Sequence, residues 1–205
     1  MIEILYQDND IVVCVKPSGT LSERSETGRS LPVEIERQEG IGELFTVHRL
    51  DREVSGVMVY AKNPSSAAKL SSAIAERRFH KEYSAEVEGV IEHDRGVFKD
   101  LLFRDARRNK TYVVERQRRG VKEASLEYTV TERGEDTTRV RIILHTGRTH
   151  QIRVQFASRG HSVVGDRKYG SRVKTDGIAL YSRKIEFEHP RTSERVCFEY
   201  TPTDK

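Results

Sequence analysis

One aspartate stands between two arginines in VHRLDREVSG, residues 47–56: Asp51, flanked by Arg49 and Arg52, with Ser55-Gly56 and an apolar run behind it. Nearby positive charge favours the charged form of a carboxylate. Asp51 therefore reads as a turn residue making surface ion pairs, or as an anion kept ready to act as a nucleophile. A second arginine-rich stretch, TGRTHQIR (146–153), and an aromatic residue, Tyr83, complete the candidates. An enzyme that works on a base within folded RNA needs such groups: a carboxylate, an arginine to hold it, an aromatic plane and cations for phosphates.

Other chemistries find no support. The chain has no GxxxxGK[ST] or GxGxxG phosphate loop, no GxSxG nucleophile elbow, and no zinc spacing around Cys14 and Cys197. His48 and Asp51 form an HxxD pair without a third ligand nearby in sequence, so no metal is expected there. His145 and His150 flank the TGR turn, and a structural or RNA-contacting role is preferred for both over acid–base work.

The elements that must carry these groups follow from pattern. DIVVCVK (10–16) reads as a short buried strand stopped by Pro17 and the Ser18-Gly19 turn. Residues 20–46 are polar and irregular, with a short helix expected around 31–38. VMVYA (57–61) is apolar on both faces and suits a central strand, which puts Asp51 on a loop feeding the interior. Asn63-Pro64 starts a helix that is expected to run to about Arg78, with Ala67, Leu70 and Ile74 on one face. KEYSAEVEGVI (81–91) alternates, so Tyr83, Ala85, Val87 and Ile91 point inward. TYVVERQRRGVKEASLEYTVTERG reads as strands joined by a basic turn at 116–120, and TRVRIILH (138–145) as a further strand. THQIRVQFASRG reads as a helix ended at Gly160, residues 161–170 as a loop, and the tail as two strands. The expected class is α+β, a mixed and mostly antiparallel sheet with flanking helices and loops.

At 205 residues, 36% hydrophobic and 33% charged, the chain suits a single domain over 1–205. It has no apolar run of membrane-spanning length and no basic leader before an apolar segment, so a cytoplasmic protein with reduced cysteines is expected. The net charge of +4 is unevenly placed. Residues 104–119 hold seven basic side chains, Arg107 and Arg108 among them, against Asp105 and Glu115, whereas residues 20–45 hold six acidic groups against three basic ones. Such a patch is either a solvated hairpin or the footprint of a polyanion, RNA or DNA first.

HRLDREVSGVMVYAKN resembles the catalytic motif of the RluA family of pseudouridine synthases: HRLD, two variable residues, TSG and an apolar strand. Four further segments are similar, in family order: ILYQDNDIVVCVKPSGTL (4–21), FHKEYSAEVEG (79–89), TGRTHQIRVQFASRGHSVVGDRKYG (146–170) and LYSRKIEFEHP (180–190). The resemblance implies a pseudouridine synthase fold and isomerisation of uridine in RNA to pseudouridine, without cofactor or metal. It implies Asp51 as the nucleophile, Arg153 paired with its carboxylate, and Tyr83 packed on the flipped uracil. Arg49 would enter the RNA stack in place of the uridine, and Arg148 and His150 would contact RNA or loops. Val54 departs from the usual threonine and Tyr181-Ser182 from a common histidine-alanine pair, which touches positioning or substrate choice. No S4-like domain is expected before the catalytic one, so residues 104–119 are the candidate RNA surface. The expected partner is a stem-loop of ribosomal or transfer RNA and the expected state a monomer. The alternative is a non-catalytic RNA-binding or remodelling module with Asp51 idle.

Overall fold

The computed structural model describes residues 1–202. In chain order the strands are β1 (Glu3–Gln7), β2 (Ile11–Lys16), β3 (Phe45–Thr46), β4 (Ser55–Ala61), β5 (His80–Glu88), β6 (Arg95–Asp105), β7 (Lys110–Val114), β8 (Val121–Arg133), β9 (Thr137–Leu144), β10 (Leu180–Glu188) and β11 (Arg195–Glu199). Helices α1 (Leu31–Glu39), α2 (Pro64–Ala75) and α3 (Gln151–Ala157) and a short 3-10 turn at Arg167–Tyr169 complete the described elements of an α+β fold. The described chain packs as two compact units: Met1–Glu82 with residues 181–202, and Tyr83–Leu180.

In the first unit β2 is buried along its whole length and lies antiparallel to β1 and to β4, in the register Ile11↔Ala61 through Lys16↔Gly56. β4 also pairs antiparallel with β3 and parallel with β10, which in turn pairs antiparallel with β11. Strands covered on both faces need apolar side chains at successive positions, which IVVCV and VMVYA supply. One layer of them, Ile11, Val13, Val57, Val59 and Ala61, packs with Leu70, Phe79, Ile185 and Phe187. Each of these side chains larger than alanine contributes roughly 1.5–3 kcal/mol of burial. The Asn63 side chain accepts the Ser66 N–H at 2.8 Å and Pro64 opens α2. The helix ends at Ala75, short of the expected Arg78, because Arg77 takes a left-handed φ of 60°.

In the second unit the strands run β5-β9-β8-β6-β7. β5 alternates as expected, with Tyr83, Ala85 and Val87 buried. β6 was not legible in the sequence: its burial follows no clean two-residue alternation, and charged Lys99 and Asp100 interrupt it. It is held between β7 and β8, and Phe98 packs on Phe156 of α3 with ring centroids 5.0 Å apart. α3 is shorter than expected, ending at Ala157, and the chain turns through Gly160 at φ 84°.

Candidate active site

Asp51 sits partly buried on the loop from β3 to β4, and the peptides on either side of it are pinned one after another. Before it, the Ser22 hydroxyl donates to the Leu50 carbonyl at 2.8 Å and accepts the Leu50 N–H at 3.0 Å. After it, the fully buried Lys16 ammonium donates to the carbonyls of Arg52 (2.9 Å), Val54 (2.7 Å) and Pro17 (3.0 Å). The Gly19 N–H donates to the Arg52 carbonyl at 2.8 Å, and the Ser18 hydroxyl to the Glu53 carbonyl at 2.7 Å. The Val54 N–H closes a turn onto the Asp51 carbonyl at 3.1 Å. A buried polar group is costly unless bonded, so three carbonyls on one ammonium fix the loop as well as satisfy the lysine. Burial pushes the Lys16 ammonium down to about 8, against the pull of the Glu53 and Asp51 carboxylates.

Two further devices hold this loop to β4. The Val59 N–H donates to Nε2 of His48 at 3.1 Å, so that nitrogen carries no proton and the ring is neutral. Burial holds His48 well below the usual histidine range, and its ring packs on Phe79 at 5.3 Å. The histidine heading HRLD is thus a backbone acceptor in the core. Gly56 has φ +111°, and a Cβ there would lie 2.2 Å from the Ser182 carbonyl oxygen. Only glycine lets β4 reach its parallel partner at Ser55↔Tyr181 and Gly56↔Ser182.

The flanking arginines have partners away from the aspartate. Arg49 is exposed and pairs with Glu23 at 2.8 Å, and Arg52 Nε donates to the Gly19 carbonyl at 3.1 Å. The sequence suggested that their charge keeps Asp51 ionised; their long side chains reach groups across the loop that the sequence places far away.

In the second unit Tyr83 is 5% exposed on the inward face of β5. Arg153, in α3, is 2% exposed. Its Nε and Nη2 meet the two oxygens of buried Asp166 at 2.6 and 2.8 Å, a bidentate pair, and its guanidinium lies 5.2 Å over the Tyr169 ring. Buried bidentate pairing leaves the guanidinium little freedom to turn. His150, expected to contact RNA or a loop, is buried, takes φ 54° at the head of α3, and brings Nδ1 to 2.8 Å from the Tyr169 hydroxyl. Arg148 is partly exposed and its Nε donates to the Glu123 carbonyl at 2.9 Å. His145 faces Glu127 at 3.4 Å.

The basic window occupies the exposed β6–β7 turn, with Arg107 and Arg108, and the exposed 115–120 connection to β8. Arg118 lies 4.9 Å over the Phe103 ring. Lys16, Ser22, Asp166 and Tyr169 carried no role in the sequence reading. Their signals there are the KPSG turn and the GDRKYG string, which show residue types but not partners. Among the described residues no three His, Cys, Asp or Glu side chains group to hold a metal, and no helix is long and apolar enough to cross a membrane.

The architecture is that of a pseudouridylate synthase domain: human RNA Pseudouridylate Synthase Domain Containing 1 superposes with a TM-score of 0.84 over 98% of this chain and 84% of that one, at 24% identity. In sequence, a family profile for RNA pseudouridylate synthase matches residues 10–158. The dual-specificity RNA pseudouridine synthase RluA of Vibrio cholerae is 35% identical over 93% of this chain and 79% of its own. The uncharacterized RNA pseudouridine synthase YlyB of Bacillus subtilis is 34% identical over 97% of this chain and 68% of its own. The chain belongs to the RNA pseudouridylate synthase family. Its activity is accordingly that of an isomerase converting uridine in RNA to pseudouridine, as the motifs led us to expect.

Proposed function

We propose that Asp51 is the nucleophile of this reaction, with Tyr83 supplying the aromatic plane for the flipped uracil and Arg153 the cation for the carboxylate. Arg49, exposed on the Asp51 loop, is assigned to the RNA stack in place of the extruded uridine. Arg107, Arg108 and Arg148 are assigned to phosphates. The observation that carries the reading is the pinned loop: Leu50, Arg52, Glu53 and Val54 each have a backbone carbonyl held, so the carboxylate between them is presented from a rigid mounting. In the reaction the glycosidic carbon–nitrogen bond breaks, the uracil turns, and its carbon 5 bonds to the sugar carbon; the hydrogen at carbon 5 leaves as a proton and the freed nitrogen 1 takes one up. Attack by Asp51 on the sugar or the base, or removal of a ribose proton, would each divide one hard step into easier ones.

The substrate we infer is a stem-loop of ribosomal or transfer RNA, recognised by shape and by its flipped base, without metal or cofactor. The relatives bear names of both kinds, dual-specificity and ribosomal large subunit synthases. A monomer acting in the cytoplasm is part of the proposal. The exposed large apolar side chains, such as Val90, Val97 and Val173, are few. Sedimentation at micromolar concentration that gave a dimer would remove the monomer.

The test uses cellular RNA tritiated at carbon 5 of uridine, taken from cells lacking the enzyme. Wild type should release tritium to water and Asp51→Asn should release none while still binding RNA. Release by Asp51→Asn at the wild-type rate would remove the aspartate from the chemistry. No release by either protein, with binding intact, would point to the non-catalytic module.

A further inference from the structure

Tyr169 joins two parts of the second unit that the proposed function keeps separate. Its hydroxyl accepts the Thr111 N–H of β7 at 2.9 Å and lies 2.8 Å from His150 Nδ1. Burial raises the phenol to about 12, so it keeps its proton and stays a hydrogen-bonding hydroxyl between the two. Its ring meets the Arg153 guanidinium on the α3 side and the Lys110 ammonium of β7, each about 5.2 Å away. Two more ties bind the same hairpin to the same segment: Lys168 Nζ donates to the Asn109 carbonyl at 3.1 Å, and the Thr111 hydroxyl to the Thr149 carbonyl at 2.9 Å. Asp166, three residues before Tyr169, holds Arg153 by two bonds. The exposed Arg107 and Arg108 stand in the turn that leads into Lys110.

We propose that Tyr169 is a positioning residue that couples the basic β6–β7 hairpin to Arg153, so that an RNA backbone held at Arg107 and Arg108 also sets the guanidinium for the reaction. The inference rests on the roles proposed above for Arg153 and the hairpin. A hydroxyl bonded both to the hairpin backbone and to the head of α3 transmits a shift at one as a shift at the other. Asp166 fixes which way the guanidinium faces, and the Tyr169 ring fixes its plane. Coupling carried through one shared residue shows as non-additivity, which independent contributions do not produce.

The experiment compares single-turnover tritium release at saturating RNA, and RNA affinity by filter binding, across four variants. Tyr169→Phe keeps the ring and removes the hydroxyl. It should slow release about tenfold with affinity within about twofold of wild type. Arg107→Ala with Arg108→Ala should weaken binding and also slow saturated release. Combined with Tyr169→Phe, the pair should weaken binding as before and slow release no further. Losses in rate that multiply, or a wild-type rate for Tyr169→Phe, would overturn the coupling. Should Tyr169→Phe fail to fold in a thermal melt, Thr111→Pro removes the donated N–H on edge strand β7 and must give the same pattern. Arg153→Lys is the control on the underlying reading. A wild-type rate there sinks the role of Arg153, whereas loss there beside a wild-type rate in Tyr169→Phe sinks only the coupling.

Discussion

Replacing Lys16 with methionine removes the ammonium that holds the Asp51 loop and leaves a side chain of similar length in the same closed space. Three acceptors lose a charged donor. The Val54 contact is buried, so its carbonyl is left without that bond, at about 1–3 kcal/mol. The Pro17 and Arg52 contacts are only partly buried, and water replaces much of what they lose. Relief of the buried charge offsets much of the rest, so the net loss is about 1–3 kcal/mol. For a chain of this size that is a fall in Tm of roughly 2–12 °C. The larger effect falls on the rate, because a loop displaced by about 1 Å costs about a hundredfold in turnover. Single-turnover tritium release at saturating RNA, below the melting range, should fall by that factor, and the phosphate contacts proposed for residues 104–119 are untouched. Lys16→Arg should not rescue it, because a guanidinium overfills a site with no exposure. Release within about threefold of wild type, in a Lys16→Met protein that melts normally, would refute the claim that this loop is set by its lysine. The pH profile gives a second reading. With the ammonium pushed down to about 8, the group above that pH offers two N–H bonds to three carbonyls, so the wild-type rate should decline on that side. Lys16→Met should lack that limb.

Three other outcomes follow from the same geometry. His48 is held well below the usual histidine range by burial, so below about pH 6.5 the unfolded chain binds a proton that the folded one refuses. Stability therefore falls as pH drops, by up to about 1.4 kcal/mol per unit, and urea melts of His48→Gln should show a shallower decline. Gly56→Ala places a Cβ 2.2 Å from the Ser182 carbonyl oxygen at φ +111°. It should cost more than about 3 kcal/mol in the same melts or give no soluble protein, and a normal melt would contradict the close approach of β4 to β10. Arg107→Ala with Arg108→Ala should lower the slope of log affinity against log salt by about 1.5, and an unchanged slope would take the hairpin off the phosphates.

The sequence by itself determined more of the scaffold than of the site's support. The unbroken apolar runs of β2 and β4, the alternation of β5 and the Asn63-Pro64 helix start are local patterns, and each was legible because burial repeats with the period of its element. β6 has no such period and was missed. The motif residues were legible as types, and so was the family. Their partners were not. Lys16 reaches Val54 across 38 positions, Ser22 reaches Leu50 across 28, and Arg153 finds Asp166 thirteen away. Nothing in the order of residues shows which buried carbonyl an ammonium will meet. The sequence showed His48 only as the head of an HxxD pair; it is a neutral acceptor in the core, because Val59 presents its N–H there. The arginines beside Asp51 looked like its counter-ions, and the tertiary structure gave one to Glu23 and the other to Gly19. A buried polar group must be satisfied by whatever the folded chain brings within about 3 Å of it. Only the closed structure decides what that is.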